Sequence, residues 1–580
     1  MCGIAAIAGW EGGVEELRRR LCAMNEAHRH RGPDGEGVWV EATGRVGLGH
    51  RRLKILDLSE AGAQPMASRD GRLVVSYNGE IYNYRELRAE LGASDFRSQT
   101  DTEVLLAAWA KWGEAALERL VGMFAFVLWD SEAGRLYAVR DRFGVKPLQW
   151  GRLPNGALAF ASEARAIHAA GLQRRADEVT WASALAHGFS DGWERTFWEG
   201  VRQVPAGCLL EWDGSAAHVR RWYDFAARAA EEDGRPEEAV REEYESLLGE
   251  SVRLRFRSDV DVGVNLSGGV DSSVLAGLLR EVEEARGGVR AFTFTTGDPG
   301  YDELPWVRAV LERTEHELVE CRLSPEDVPA LAERIFQAAE GPYGGLPTVA
   351  YANLFLRARA MGIYVLLDGQ GMDEQWAGYD YYQTADGEGA GQKVQGSTDR
   401  ATRPGCLTPE FRDKAAEARV EARFTDPLRQ MQYRDAFFAK IPRALRYNDR
   451  VSMLASCELR EPFLDHRLFE LALRQPRERK IRDGHGKWML REIGRRLLPA
   501  GVRLAPKRPV QTPQREWLRG PLRGWAEEWI EKSWELGWFE PKAVRKEWQR
   551  FLAGSSDNSA YVWQWICAGM LAGNGGGGRP

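Results

Sequence analysis

The chain has 580 residues, 44% hydrophobic and 28% charged, with 79 Lys and Arg against 85 Asp and Glu and a formal net charge of −6. That length exceeds one hydrophobic core, so two large domains are expected. The charge balance gives no case for a nucleic-acid or anionic membrane partner, and no uncharged apolar run approaches the roughly 20 residues that cross a bilayer. The seven cysteines are scattered without a CxxC pair and the nine histidines form no HExxH, which excludes a disulfide or zinc framework and indicates a reducing compartment. The opening MCGIAAIAGWEGG lacks the basic region of a signal peptide, so a cytoplasmic location is expected.

Residues 1–205 read as short strands separated by Gly turns, such as GIAAIAGW, RLVVSYNGE and MFAFVLWD, with helices expected over 83–91 and 102–120. This pattern is layered, helices covering sheets. The chemistry starts at Cys2. Removal of Met1 would leave one residue carrying both a thiol and a free α-amine, a nucleophile with its own base. Around it stand the turn Arg31–Gly35, the segment Gly49–Leu53 with its guanidinium at Arg52, the run Asn78-Gly79-Glu80 after a strand, and Asp101 opening a helix.

These motifs, with MFAF at 123–126, RDRFGVKPL at 140–148 and ASEARAI at 161–167, resemble the glutaminase domain of class II, N-terminal-nucleophile glutamine amidotransferases. The resemblance covers residues 1–205 and implies an αββα fold. It further implies that Cys2 attacks the glutamine side-chain amide and releases ammonia. Asn78 and the Gly79 N–H would form the oxyanion hole, Arg52 would pair with the glutamine carboxylate, and Glu80 and Asp101 would hold its α-amine. Gln149 stands where the family has tyrosine, a difference expected to affect packing.

Residues 206–236 read as a charged connector. From 237 helices alternate with strands, as a parallel α/β sheet requires, with strands expected at 262–266, 291–296, 316–320 and 363–367. At the end of the first lies Ser267-Gly268-Gly269-Val270-Asp271-Ser272-Ser273, and an apolar helical run follows it. A strand, a Gly loop and a helix start direct backbone N–H groups at an anion, here a pyrophosphate, with seryl hydroxyls as further donors and Asp271 as a magnesium ligand. No G-K-[S/T] follows, so it is not a Walker loop. The last expected strand leads to Asp368-Gly369-Gln370-Gly371-Met372-Asp373-Glu374, placing a second carboxylate, Asp373, to share the metal. Lys487, opening a helix, is a candidate cation toward a developing phosphate or acyl charge.

This half, over 237–565, resembles the synthetase domain of the glutamine-hydrolysing asparagine synthetases, which are PP-loop ATP pyrophosphatases of the adenine nucleotide hydrolase-like fold. The resemblance implies ATP held by Leu266, Ser267, Gly268, Gly269, Asp271, Ser272, Thr296, Asp368 and Gly369, with magnesium on Asp271 and Asp373 and the adenylate stabilised by Lys487. The expected substrates are glutamine, ATP and a carboxylate, L-aspartate first, and a homodimer is implied. Gln370 departs from the family glutamate and cannot accept a proton as a carboxylate does, which leaves a second acceptor carboxylate open. The Gly-rich stretch 384–405 reads as a mobile insert or lid, and 566–580 as a tail.

Overall fold

The computed structural model describes all residues except 93–95, 284–288, 385–399, 418–419, 509–510 and 575–580. The stretch 384–405 therefore lies largely outside the described residues.

Twelve strands of the first half are β1 (Gly3–Ala8), β2 (Gly35–Val40), β3 (Val46–Arg52), β4 (Met66–Ala67), β5 (Leu73–Ile81), β6 (Gly122–Asp130), β7 (Arg135–Arg140), β8 (Gln149–Arg152), β9 (Leu158–Ala161), β10 (Val201–Gln203), β11 (Cys208–Trp212) and β12 (Ala217–Arg221). Among the described residues they build two six-stranded sheets, in the orders β10-β8-β9-β1-β3-β2 and β12-β11-β7-β6-β5-β4. Alternation of side chains explains the layering. On β1, Ile4, Ala6 and Ala8 face the other sheet beside Val74, Ala125 and Val127, whereas Ala5 and Ile7 pack on Leu17 and Leu21 of the helix Val14–Ala27. On β5, Val75 and Tyr77 face Val104 and Leu105 of the helix Asp101–Trp112. With both faces of both sheets covered, strands read as continuous apolar runs. The order helix, sheet, sheet, helix is the αββα arrangement.

The stretch 206–236 is not a free connector. β11 pairs with β7, and β12 with β11, extending the second sheet to residue 221. Arg220 and Arg221 stay outside because β12 is an exposed edge.

The second half holds a five-stranded parallel sheet, order β15-β14-β13-β16-β17, of β13 (Val262–Asn265), β14 (Arg290–Thr295), β15 (Glu317–Arg322), β16 (Val365–Leu367) and β17 (Glu458–Arg460). Helices cover it, as parallel sheets require. β17 escapes sequence reading because it is three residues long and charged at both ends. The tail expected from 566 is also corrected. The helix Ala560–Gly573 is apolar around its whole circumference, with Ile566, Met570 and Leu571 buried, and it packs through Trp563 on Tyr343. The two halves share buried contacts, including Trp181 against Trp538 and the Arg31 guanidinium on Asp449 at 2.9 Å.

Candidate functional site

Cys2 immediately precedes β1 and is 9% exposed. Its backbone N–H donates to Asn78 Oδ1 at 2.8 Å, and the Arg31 Nε donates to its carbonyl at 3.0 Å. Burial pushes the thiol above its usual range, while the adjacent α-amine, the Leu53 N–H and the Arg52 guanidinium pull it down. The Asn78 Nδ2, fully buried, has no hydrogen-bond partner. A buried amide donor left open beside a nucleophile is what an oxyanion site requires. Next to it, Gly79 has no room for a side chain: a Cβ would lie 2.7 Å from Phe124 Cα and overlap the Met123 carbonyl of β6.

Arg52 closes β3. Its Nη1 donates to the Ser59 carbonyl at 2.7 Å and its Nη2 to the Asp57 and Leu56 carbonyls at 2.5 and 3.2 Å, fixing the loop that follows. Asp101 opens its helix, with Thr100 as N-cap. Its Oδ2 accepts from the Tyr77 hydroxyl at 2.7 Å and the Ile81 N–H at 2.8 Å. Burial raises its pKa to about 6, with those hydrogen bonds opposing. Glu80 is buried and sits 3.3 Å from the Arg460 guanidinium of β17, so it joins a charge cluster at the boundary of the two halves. Burial and the neighbouring Glu458 hold its carboxyl well above the usual range. The Met1 α-amine lies 3.5 Å from Glu458, and Arg460 Nε donates to Glu458 at 2.6 Å.

Sequence reasoning gives no role to Glu458, Arg460, Glu163 or Asp449, and places Arg31 only in a turn. Arg31 Nη1 donates to Glu163 at 2.7 Å, and both are buried. Their signal is a charged residue inside a buried strand or turn, legible only once the burial is known. Gln149, 8% exposed, lines a separate cavity of about 280 Å³ between the halves, and its Oε1 has no partner.

In the second half the tips of β13 and β16 form the floor of a cavity of about 610 Å³. Gly268 takes a φ of +73°, and a Cβ there would press on Trp306 Cβ at 2.8 Å. The Ser272 hydroxyl accepts from the Ser267 N–H at 3.2 Å and donates to the Gly269 carbonyl at 3.2 Å, so the loop is drawn into a hook at the start of the helix Val270–Glu283. Gly369 comes close enough to this hook that a Cβ would sit 3.0 Å from the Ser272 N. Leu266, Ser267, Gly269, Asp271, Ser272, Asp368, Gly369, Asp373 and Lys487 all line the cavity. Thr296 does not: Asp302 accepts from its N–H at 2.7 Å and from its hydroxyl at 3.0 Å, which holds it at the turn after β14. Asp368 accepts from Asn265 Nδ2 at 3.1 Å and from the Tyr351 hydroxyl, and burial raises it to about 6.

Lys487 is the centre of this site. Its Nζ lies 2.6 Å from Asp271 Oδ2 and 2.7 Å from Asp373 Oδ1, and Lys507 also reaches Asp373. The two carboxylates hold the lysine's pKa above its usual range, and the lysines hold Asp373 far below the carboxylate range against the desolvation that burial imposes. Lys487 adopts φ +59°, and its N–H donates to the Trp376 carbonyl at 2.7 Å. Gly378 is required beside it, since a Cβ would overlap both Asp373 and the Lys487 side chain. Asp271 lines the cavity, and its Oδ1 is buried without a hydrogen-bond partner. Among the described residues no cluster of three or more metal-ligating side chains occurs. A cation here would take its remaining ligands from phosphate oxygens and water, the usual habit of magnesium.

A cysteine at position 2 beside an open amide donor, joined to a parallel sheet with a phosphate hook and a carboxylate–lysine cluster, defines a two-part glutamine amidotransferase. A family model described as glutamine amidotransferase domain matches residues 1–223, and one described as asparagine synthase matches 243–572. The chain belongs to the asparagine synthase family. It is similar to asparagine synthetase (glutamine-hydrolyzing) 1 of Bacillus subtilis, 28% identical over 95% of this chain and 92% of the relative. It is likewise similar to asparagine synthetase (glutamine-hydrolyzing) 3 of that organism, 28% identical over 90% and 88%. A relative with a different name, amidase chyE of Penicillium rubens, is 30% identical over 88% and 86%.

Proposed function

We propose that this chain amidates a carboxylate in two steps, with ammonia that Cys2 liberates from glutamine. The single observation behind this reading is the coexistence, in one chain, of the Cys2–Asn78 pair and the Asp271–Lys487–Asp373 cluster, each with an open buried polar atom.

In the first half, loss of Met1 frees the Cys2 amine, which takes the thiol proton. The thiolate sulfur bonds to the glutamine amide carbon, and the oxygen's developing charge meets the Asn78 Nδ2 and the Gly79 N–H. Each such donor is typically worth about 3–4 kcal/mol. Collapse expels ammonia, and water releases glutamate. Arg52 takes the glutamine carboxylate, and Asp101 with Glu80 its ammonium.

In the second half the acceptor carboxylate oxygen bonds to the α-phosphorus of ATP and pyrophosphate leaves. Ammonia nitrogen then bonds to the acyl carbon, AMP departs with the C–O pair, and the nitrogen loses a proton. The hook at 266–272 would cradle the phosphates, with Asp368 and Gly369 beside the nucleotide. Asp271 and Asp373 would hold magnesium, which supplies positive charge against the leaving pyrophosphate. Lys487 would move its charge onto the adenylate side.

The acceptor implied by the names of the relatives is L-aspartate. Gln370 favours a second reading, a different carboxylate, because an amide cannot act as the proton acceptor a glutamate would be. Chromatography of the nucleotide products tests the scheme. AMP and pyrophosphate are expected only with a carboxylate present; ADP and orthophosphate would contradict it.

Asp101 gives a pH prediction. Its raised pKa of about 6 means the carboxylate that holds the glutamine ammonium is progressively protonated below that value. Glutamine-dependent kcat/KM is therefore expected to fall as pH drops through about 6, about tenfold per unit below it. The ammonia-dependent reaction, corrected for free ammonia, reports the titration of Asp368 over the same window, and the glutamine-dependent rate is expected to fall more steeply than it. Parallel loss of both would remove Asp101 from glutamine binding.

A further inference from the structure

The lysines and arginines of the large cavity come from one stretch of chain. These four side chains, Lys487, Arg491, Lys507 and Arg508, belong to the single segment 487–508 beside the phosphate hook. Each is committed there. The two lysines lie on the Asp271 and Asp373 carboxylates, and Arg491 donates to the Gly486 and Ala505 carbonyls at 2.9 and 3.1 Å. Arg508 stacks 3.4 Å over the Trp306 ring and faces Glu303 at 3.7 Å.

A second wall of the cavity comes from the helices Leu346–Ala360 and Lys440–Leu454 and from the loop after β16. It presents Thr348, Tyr351, Gln370, Tyr447, Asn448 and Val451. None of these six is charged, and Asp368 of the same loop is taken up by Asn265 and Tyr351. The guanidinium next along the chain, Arg446, pairs with Asp191 at 2.7 Å and lines the smaller cavity between the halves. The Lys440 ammonium sits over the rings of Tyr379 and Tyr381 at 5.3 and 5.6 Å, and Lys440 does not line the large cavity.

The rings on this wall are held. Tyr351 meets Phe355 edge-on at 5.3 Å and donates to Asp368. The backbone at Gly344 approaches Tyr447 so closely that a Cβ would lie 3.1 Å from its ring. Two neutral amides, Gln370 and Asn448, line the cavity with them.

An α-amino acid acceptor would bring an ammonium and a second carboxylate into this wall; no lysine or arginine stands among these six residues to meet the carboxylate, and the carboxylate beside them, Asp368, already accepts from Asn265 and from the Tyr351 hydroxyl. Desolvating such charges without partners is costly. A planar, uncharged body would instead stack on held aromatic faces and use the amides for hydrogen bonds. We propose that the acceptor is a carboxylic acid with an uncharged aromatic body, its carboxylate turned toward the lysine end and its ring against Tyr351 and Tyr447. This rests on the amidation scheme above and names its acceptor class. Gln370 is then a specificity residue, its amide a donor and acceptor to a neutral substituent.

The test measures AMP formation by the full chain with ATP, magnesium and saturating ammonia across a panel: L-aspartate, succinate, benzoate, 4-hydroxybenzoate and cinnamate. At least one aromatic acid is expected to exceed L-aspartate in kcat/KM by tenfold or more. Tyr447→Ala and Gln370→Ala are expected to lower that value tenfold or more through KM for the acid, leaving KM for ATP unchanged. A preference for L-aspartate would overturn the aromatic assignment and leave the amidation scheme standing. Equal losses on every acid, or a shift in KM for ATP, would also overturn it. Absence of AMP with every carboxylate would overturn the scheme and the assignment together.

Discussion

Cys2→Ala is expected to abolish glutamine-dependent amidation, by a factor of at least about 10³, and to leave ammonia-dependent amidation within about twofold of the parent. The magnitude follows from removing the nucleophile, since the Asn78 amide and the Gly79 N–H stabilise an oxyanion only after a bond to sulfur has formed. The selectivity follows from the architecture. Cys2 belongs to the αββα layers, whereas the phosphate hook and Lys487 belong to the parallel sheet, and the substitution removes only one sulfur atom from a strand end. Rates with glutamine and with ammonium chloride, on the same preparation, check both. Loss of the ammonia reaction as well would mean that the two halves do not divide the chemistry this way.

Lys487→Met is expected to end pyrophosphate release and also to destabilise the fold, by about 3–5 kcal/mol at neutral pH. Lys487 is buried between Asp271 and Asp373, and removing one partner of a buried ion cluster leaves uncompensated charge. The sign with pH is defined. In the parent, the lysines depress the Asp373 pKa, so its stabilising contribution is present above the unfolded carboxylate value near 4 and is lost as pH falls toward the lower folded value. In the variant the buried carboxylates gain protons readily, so its deficit is largest near pH 7 and shrinks below about pH 5. Denaturant unfolding of parent and variant at pH 7 and pH 4.5 checks this. An equal deficit at both pH values would show that Lys487 contributes packing rather than charge compensation. Retained pyrophosphate release would remove it from the chemistry.

Much of this molecule is legible in sequence because its key residues sit in contiguous motifs. Ser267–Ser273 announces a strand, a hook and a helix within seven residues, and Asn78–Glu80 follows a run of apolar strand residues. What stays hidden is long-range. Arg31 meets Glu163 and Asp449 across the fold, and nothing local in Arg31–Gly35 signals a buried guanidinium. Glu458 and Arg460 form a strand too short and too charged for a period-two pattern, yet they carry the contact from the parallel sheet to Glu80 and to the Met1 amine. Thr296 lies at the end of an apolar strand like the true cavity residues, and only the position of Asp302 shows that its hydrogen bonds are already taken. Lys487 could be ranked as a cation from its helix start, but its bridging of two carboxylates depends on Gly378 and Gly486, which let three segments converge. The edge strand β12, with β11 beside it, and the last turns of the helix Ala560–Gly573 show the remaining difficulty. Charge on an edge strand reads as linker, and an apolar helix followed by glycines reads as tail.

The most direct test of the coupled scheme is isotopic. With glutamine carrying 15N in its amide, ATP, and the carboxylate that best supports AMP formation, the product mass and the amounts of AMP and glutamate are followed together. The account predicts one 15N in each product molecule, one AMP and at least one glutamate per product, and loss of the label from product in Cys2→Ala supplied with unlabelled ammonia. Glutamate formation whose 15N appears only as free ammonium, with no label in product, would contradict it.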